Sequence, residues 1–320
     1  LDVRSGAVSL HSAGTVADAK SFDAVNIAMR FTGPAIEQVL DVFSLPHFST
    51  GDFDFRLGID SEGTMNRIDV DGDLGSIELD ADGAVDRLLR PTSGELRGTF
   101  NGPDLEKLAR ALEIEGLPAM PYSLRLQTHY ESSALRLSEA LLEVGGDRLE
   151  VSGRIDVEAG MPNTTLEISL LSKEIGNWLP LTGKPAMALG PLNLKGTSAI
   201  DKEGRVEIDA SARFAGARIT ARGPLGRPGE PLTPRLQVSI TTENARPLLT
   251  LAGRPGFPEV PARLDSQLSL EEKRLDISGL KLDLAGHRAT VDGYVNLQKR
   301  ISGSDLDVSL DIDNLEEFGL

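Results

Sequence analysis

Apolar and polar residues alternate along most of the chain. Phe53, Phe55, Leu57 and Ile59 are separated by polar or small residues. The same spacing holds for Ile68 and Val70, Leu124 and Leu126, Leu135 and Leu137, and Leu166, Ile168 and Leu170. It continues through Val206 and Ile208, Leu236, Val238 and Ile240, Leu282 and Leu284, and Leu306, Val308 and Leu310. A period of two puts one apolar face on each segment, which predicts half-buried antiparallel strands. Asp71-Gly72, Asp82-Gly83, Gly145-Gly146-Asp147 and Glu203-Gly204 read as the turns between them.

The period changes at five places. Ile36, Val39, Leu40 and Phe43 follow the i, i+3, i+4, i+7 stripe of a helix, as do Leu105, Leu108, Ala109 and Leu112. Ile175, Trp178 and Leu179, then Ala245, Leu248, Leu249 and Ala252, repeat it, and Leu315 with Phe318 begins a fifth. The leading positions 36, 105, 175, 245 and 315 are 69, 70, 70 and 70 residues apart. Gly33-Pro34 and Gly102-Pro103 read as helix starts, and Ser172 and Thr242 as hydroxyl caps at the matching places. Pro46, Pro118, Pro185 and Pro258 follow the stripes, where a helix must stop.

A second series keeps the same step. Gly14, Gly83, Gly153, Gly223 and Gly293 are again 69, 70, 70 and 70 residues apart. Strand-like stretches run up to the last four, with Leu79, Leu149, Ile219 and Ala289 at one inner position and Ala81, Val151, Ala221 and Val291 at the next. Two independent series on one period predict an internal repeat of about 70 residues, with about four strands and one helix of about three turns in each unit. The fold class expected is mainly β with one helix per repeat: an elongated, curved antiparallel sheet forming a repeating β-groove. The expected boundaries are 33–101, 102–171, 172–241 and 242–311 for whole units, with 1–32 and 312–320 as parts of truncated ones.

Composition narrows the partners. Lys and Arg number 33 against 49 Asp and Glu, a formal charge of −16. That balance disfavours phosphate backbones, so nucleic acid is not an expected partner. Aromatic residues make up 4% of the chain, so its apolar faces are built from Leu, Val, Ile and Ala. With no cysteine there is neither a disulfide framework nor a thiolate metal site. No run of 18 apolar residues occurs, so any membrane anchor is expected outside this sequence.

One stretch carries a family resemblance. Leu96-Arg97-Gly98-Thr99-Phe100-Asn101-Gly102-Pro103-Asp104-Leu105 leads into a helical stripe and then Gly116-Leu117-Pro118. Pro121-Tyr122-Ser123-Leu124 follows, then Gly145-Gly146-Asp147-Arg148-Leu149-Glu150-Val151-Ser152-Gly153-Arg154-Ile155. The order of these words resembles the AsmA family of bacterial envelope proteins, and Leu170-Leu171-Ser172-Lys173 is similar to the family's next helix start. The resemblance implies a periplasmic body anchored in the inner membrane of a diderm bacterium. It implies phospholipid as the partner, carried along an apolar trough towards the outer membrane, with other envelope proteins possible at the array ends.

No catalytic constellation emerges, and no enzyme activity or cofactor is expected. The four histidines, His11, His47, His129 and His287, lack metal-ligand spacing. No nucleophile elbow occurs. Asp69-Val70-Asp71-Gly72-Asp73 resembles the start of a calcium loop, but Leu74 stands where the loop needs glycine, and a solvated turn is the expected reading. The chemistry left is burial of acyl chains. Its expected lipid-contacting residues are Phe53, Phe55, Leu57, Leu79, Leu124, Leu126, Leu149, Val151, Leu166, Ile168, Leu170, Ile219, Leu236, Val238, Leu282, Leu284 and Val291. The alternative is an envelope scaffold whose apolar faces form a closed, dry β core without lipid cargo.

Overall fold

The computed structural model describes residues 1–18, 23–35, 51–88, 91–111, 115–157, 161, 163–182, 185–228, 230–251, 254, 257–271, 273–297 and 302–312. The helical stripes beginning at Ile36 and Leu315 lie outside these residues, as do Pro46 and His47. The fold is mainly antiparallel β.

The chain divides into two compact units, Leu1–Val157 with Gly176–Met187, and Glu158–Ile175 with Ala188–Leu320. The first holds ten strands: β1 (Asp2–Ser5), β2 (Val8–Asp18), β3 (Asp23–Gly33), β4 (Phe53–Glu62), β5 (Met65–Leu74), β6 (Ile77–Val85), β7 (Ser93–Gly102), β8 (Tyr122–Glu131), β9 (Ala134–Val144) and β10 (Asp147–Asp156). The second holds nine: β11 (Thr165–Ser172), β12 (Leu192–Ile200), β13 (Val206–Phe214), β14 (Ala217–Gly226), β15 (Arg235–Thr242), β16 (Ala262–Glu271), β17 (Arg274–Leu284), β18 (His287–Asn296) and β19 (Asp305–Asp311). Within each unit every strand pairs antiparallel with the next in sequence, a meander in which hairpin succeeds hairpin.

The alternating segments named above are all strands. Four further strands lack a clean apolar alternation. In β7 and β12 the inward positions include Gly94, Gly98, Gly196 and Ser198, and in β16 they include Ala262 and Ser266. Strand β1 is four residues long. The five spaced glycines fall in β2, β6, β10, β14 and β18, each four strands after the last.

Two expected turns are not turns. Asp71-Gly72 lies within β5 and Asp82-Gly83 within β6, so the Asp69–Asp73 stretch is strand throughout. A Cβ on Gly72 would sit 2.2 Å from the Asp54 carbonyl oxygen and 2.8 Å from the Phe55 ring. The glycine therefore admits a close strand neighbour and does not reverse the chain. Gly145 and Gly146, by contrast, have φ of 57° and 94° and form the β9–β10 turn.

Three of the helical stripes are described. They give α1 (Leu105–Ala111), the 3-10 helix η1 (Ile175–Thr182) and α2 (Arg246–Leu251). Leu112 and Ala252 of the stripes lie outside the described residues, within which each helix is shorter than the expected three turns. In η1 the proline at 180 lacks the amide that an α-helix would use at that position. The caps also differ from expectation. Asp104 Oδ1 accepts a bond from Lys107 N at 3.3 Å, and Asn244 Oδ1 one from Arg246 N at 3.0 Å. Ser172 and Thr242 instead end β11 and β15 as buried residues, and the Thr242 hydroxyl bonds to the Asn244 backbone. Glu174 holds the corresponding place before η1. One methylene longer than Asp104, it reaches across the loop to accept from Leu189 N at 2.6 Å and Gly190 N at 2.9 Å.

Asn244→Ala is expected to cost about 1 kcal/mol through loss of the cap. A thermal melt lowered by about 2–4 °C would show it. An unchanged melt would remove the cap assignment.

Candidate functional site

Strand register decides which residues share a face. Across the first unit Met29, Leu57, Val70, Ala81, Gly98, Leu126, Ala140 and Val151 are successive cross-strand partners on β3 to β10. The next row is Phe31, Phe55, Gly72, Leu79, Phe100, Leu124, Leu142 and Leu149. In the second unit one row runs Leu170, Leu194, Ala212, Ile219, Ile240, Leu264, Leu282 and Ala289 on β11 to β18. Each unit thus carries one face of aliphatic, aromatic and small residues from one strand to the next.

All the expected lipid-contacting residues lie on these faces. Phe53, Phe55, Leu57, Leu79, Leu124, Leu126, Leu149 and Val151 share the face of the first unit. Leu166, Ile168, Leu170, Ile219, Leu236, Val238, Leu282, Leu284 and Val291 share that of the second. Phe53 is buried and the other sixteen are half-buried. Among the described residues no second sheet packs on either face within its unit. Half-burial is what a single layer produces: each side chain is walled by its row and strand neighbours and remains open above.

The sequence reading missed several members of these rows, including Ile27, Met29, Phe31, Phe100, Leu194 and Leu264. Val25, Ile27, Met29 and Phe31 do alternate, and that signal could have placed β3.

At one end of the strands Val25 and Asn66 are buried and joined through Ser61, while the other end carries an apolar cluster. In the first unit Leu105 of α1, Tyr122 and Val144 are buried together, with Leu108, Leu117, Met120, Leu142 and Trp178 packed against them. Trp178 Nε1 donates to Asp147 Oδ2 at 2.7 Å, which anchors the indole at this end. The Tyr122 ring lies over Gly102, where a Cβ would meet ring atoms at 2.5–2.7 Å. Phe53 occupies the matching position over Gly33. In the second unit the corresponding cross-strand pairs are Ser172 with Leu192 and Thr242 with Ala262. The larger residue is on one strand where its partner is glycine, and the sizes converge where it is not.

The Tyr122 hydroxyl is buried without a hydrogen-bond partner, and burial raises its pKa. Tyr122→Phe removes a desolvated hydroxyl and leaves no cavity. It is expected to raise stability by about 1 kcal/mol, read as a melt about 2–4 °C higher. A lower melt would mean that the hydroxyl is bonded in solution.

The opposite face is mainly ionic, with Leu141 buried between Arg125 and Glu150. Arg30 Nε donates to Asp54 at 2.8 Å, and that bond holds the Asp54 carboxyl below its ordinary range. Arg56 pairs with Asp71 at 3.5 Å and Arg222 with Asp209 at 2.6 Å. Asp69, Asp71 and Asp73 stand directly across from Asp82, Asp80 and Glu78. No group of acids or histidines able to hold a metal ion occurs among the described residues. His11 lies beside Asp2 at 2.5 Å, while His129 and His287 sit on β8 and β18.

The chain matches no protein-family model, no curated protein and no solved structure. No helix among the described residues is long and apolar enough to cross a membrane.

Proposed function

We propose that this chain shields phospholipid acyl chains on its apolar sheet faces, as the periplasmic part of an AsmA-like protein that moves lipid between the inner and outer membranes. The observation that carries this reading is the register: strand after strand puts its aliphatic residues on one face, and no second sheet covers that face within its unit among the described residues. Apolar surface of this extent on a soluble protein marks a binding site for apolar matter. An acyl chain laid along the rows gains about 0.8 kcal/mol per buried methylene while its headgroup stays in water. Aliphatic rows without directional polar groups hold no lipid in a single place, which suits sliding. The resemblance of residues 96–155 to AsmA proteins supplies the envelope setting, the inner-membrane anchor and the absence of catalysis in this reading.

The test is solvent extraction of the purified protein followed by mass spectrometry. Phospholipid is expected in amounts well above those from a lipid-free control protein purified alongside it. Protein that is folded, monodisperse and free of lipid, and that takes up none from vesicles, would overturn the proposal.

A further inference from the structure

The ionic face of the second unit contains a break in its charge pairing. Arg213 on β13 and Arg218 on β14 are direct cross-strand partners. Like charges so placed repel each other and weaken the pairing. Neither makes an ion pair among the described residues, whereas on the same face Arg222 is paired with Asp209 at 2.6 Å and Arg263 with Asp265 at 2.8 Å. Lys195 on β12 lies across from Ser211, one row along, and it too makes no ion pair among the described residues. The three cations converge on a depression of about 500 Å³ lined also by Asn193, Ser211 and Thr220. Among the described residues no carboxylate lines it. Glu243 lines an adjoining dip with Arg213 and Arg218, and Asp209, next to Ser211 on the same face of β13, is taken up by Arg222.

We infer that Lys195, Arg213 and Arg218 form an oxyanion site that takes a phosphate group. Two guanidinium forks on neighbouring strands present planar donor pairs that match the edges of a tetrahedral oxyanion, and Lys195 adds a third charge. The hydroxyls of Ser211 and Thr220 and the Asn193 amide add neutral donors on the same face. The cost of opposing two arginines is offset when an anion sits between them. On a chain of net charge −16, three unneutralised cations around one hollow select locally for what the rest of the surface repels. The site is on the face opposite the apolar rows and does not depend on what those rows bind.

A second opposed pair supplies the control. Arg136 and Arg154 face each other on β9 and β10, with His129 next in the row and then Glu95. This row offers no third permanent cation.

The experiment follows the melting of the whole chain as inorganic phosphate replaces chloride at constant ionic strength, at a pH where histidine is neutral. Phosphate is expected to raise the melting temperature. Arg213→Ser and Arg218→Ser should each melt no lower than the parent in chloride, because repulsion is relieved. Both should bind phosphate at least about tenfold more weakly. Arg136→Ser should respond to phosphate as the parent does. Flotation with phosphatidylcholine vesicles, with and without phosphatidylglycerol, separates the sources of the phosphate. Capture by the anionic vesicles that is lost in the Arg213 and Arg218 variants assigns a lipid headgroup. A phosphate response without such capture assigns a free phosphate or a small phosphorylated molecule. No shift beyond that of chloride, a shift kept in Arg213→Ser and Arg218→Ser, or one lost equally in Arg136→Ser would overturn the site.

Discussion

A single carboxylate placed in the apolar rows is expected to remove bound phospholipid while leaving the fold standing. Leu126→Asp and Val238→Asp are the informative changes. Leu126 is half-buried, with Gly98 and Ala140 as its cross-strand partners, and Val238 lies between Ala221 and Ser266. With small neighbours and an open side above, a carboxylate at either place keeps much of its hydration. An acyl chain crossing it would have to strip that hydration, which costs several kcal/mol for a charge. The expected result is a melting temperature within a few degrees of the parent and phospholipid reduced to the level of the lipid-free control. Val144→Asp is the contrast within the same unit. Val144 is 2% exposed among Leu105 and Tyr122, and an unpaired charge there is expected to cost about 3–5 kcal/mol and collapse the melt. If Leu126→Asp melted as badly as Val144→Asp, the rows would be a dry core. If both row variants kept their lipid, the cargo would lie elsewhere.

The second large effect concerns the spaced glycines. A Cβ on Gly223 would lie 2.2 Å from the Arg235 carbonyl oxygen, and one on Gly293 2.2 Å from that of Asp305. Their φ values of 137° and 128° are ones that a side chain disfavours. Backbone cannot yield as a flexible side chain can, so Gly223→Ala must part β14 from β15 locally as well as strain its own residue. A loss of about 2–3 kcal/mol is expected, with Gly293→Ala similar at the β18–β19 edge. Gly216→Ala serves as comparison, since its φ is also positive, 77°, but nothing lies within 4 Å of the added methyl. A greater loss at 216 than at 223 would show that backbone strain, and not close approach, sets the cost.

Much of the architecture could be read from residue order. Alternation at 53–59, 166–170 and 236–240 marked strands because the two-residue period is a local property of extended chain. The helical stripes at 105 and 245 were legible for the same reason. The glycine series was visible as spacing, though its role was not: Gly83, like Gly72 outside the series, looks like a turn residue until the neighbouring strand is placed beside it. The caps were misassigned by a few residues because Ser172 and Thr242 still belong to strands, and the helices begin only after Glu174 and Asn244.

What the tertiary structure alone decided was sidedness. Each strand announces that it has an apolar face, but nothing within a strand says which way its neighbour turns. Pairing register does, and it joins residues far apart in sequence, such as Leu57 to Met29 or Ile240 to Leu264. It also absorbs irregularities. In β9 and β17 the inward residues step by three, from Leu137 to Ala140 and from Ile277 to Leu280, because an extra residue is accommodated at a bulge. Read locally, that step inverts the face of everything beyond it. The unpaired Arg213 and Arg218 were hidden for the same reason: in sequence they are two ordinary surface charges, and only the hairpin between them sets one directly against the other.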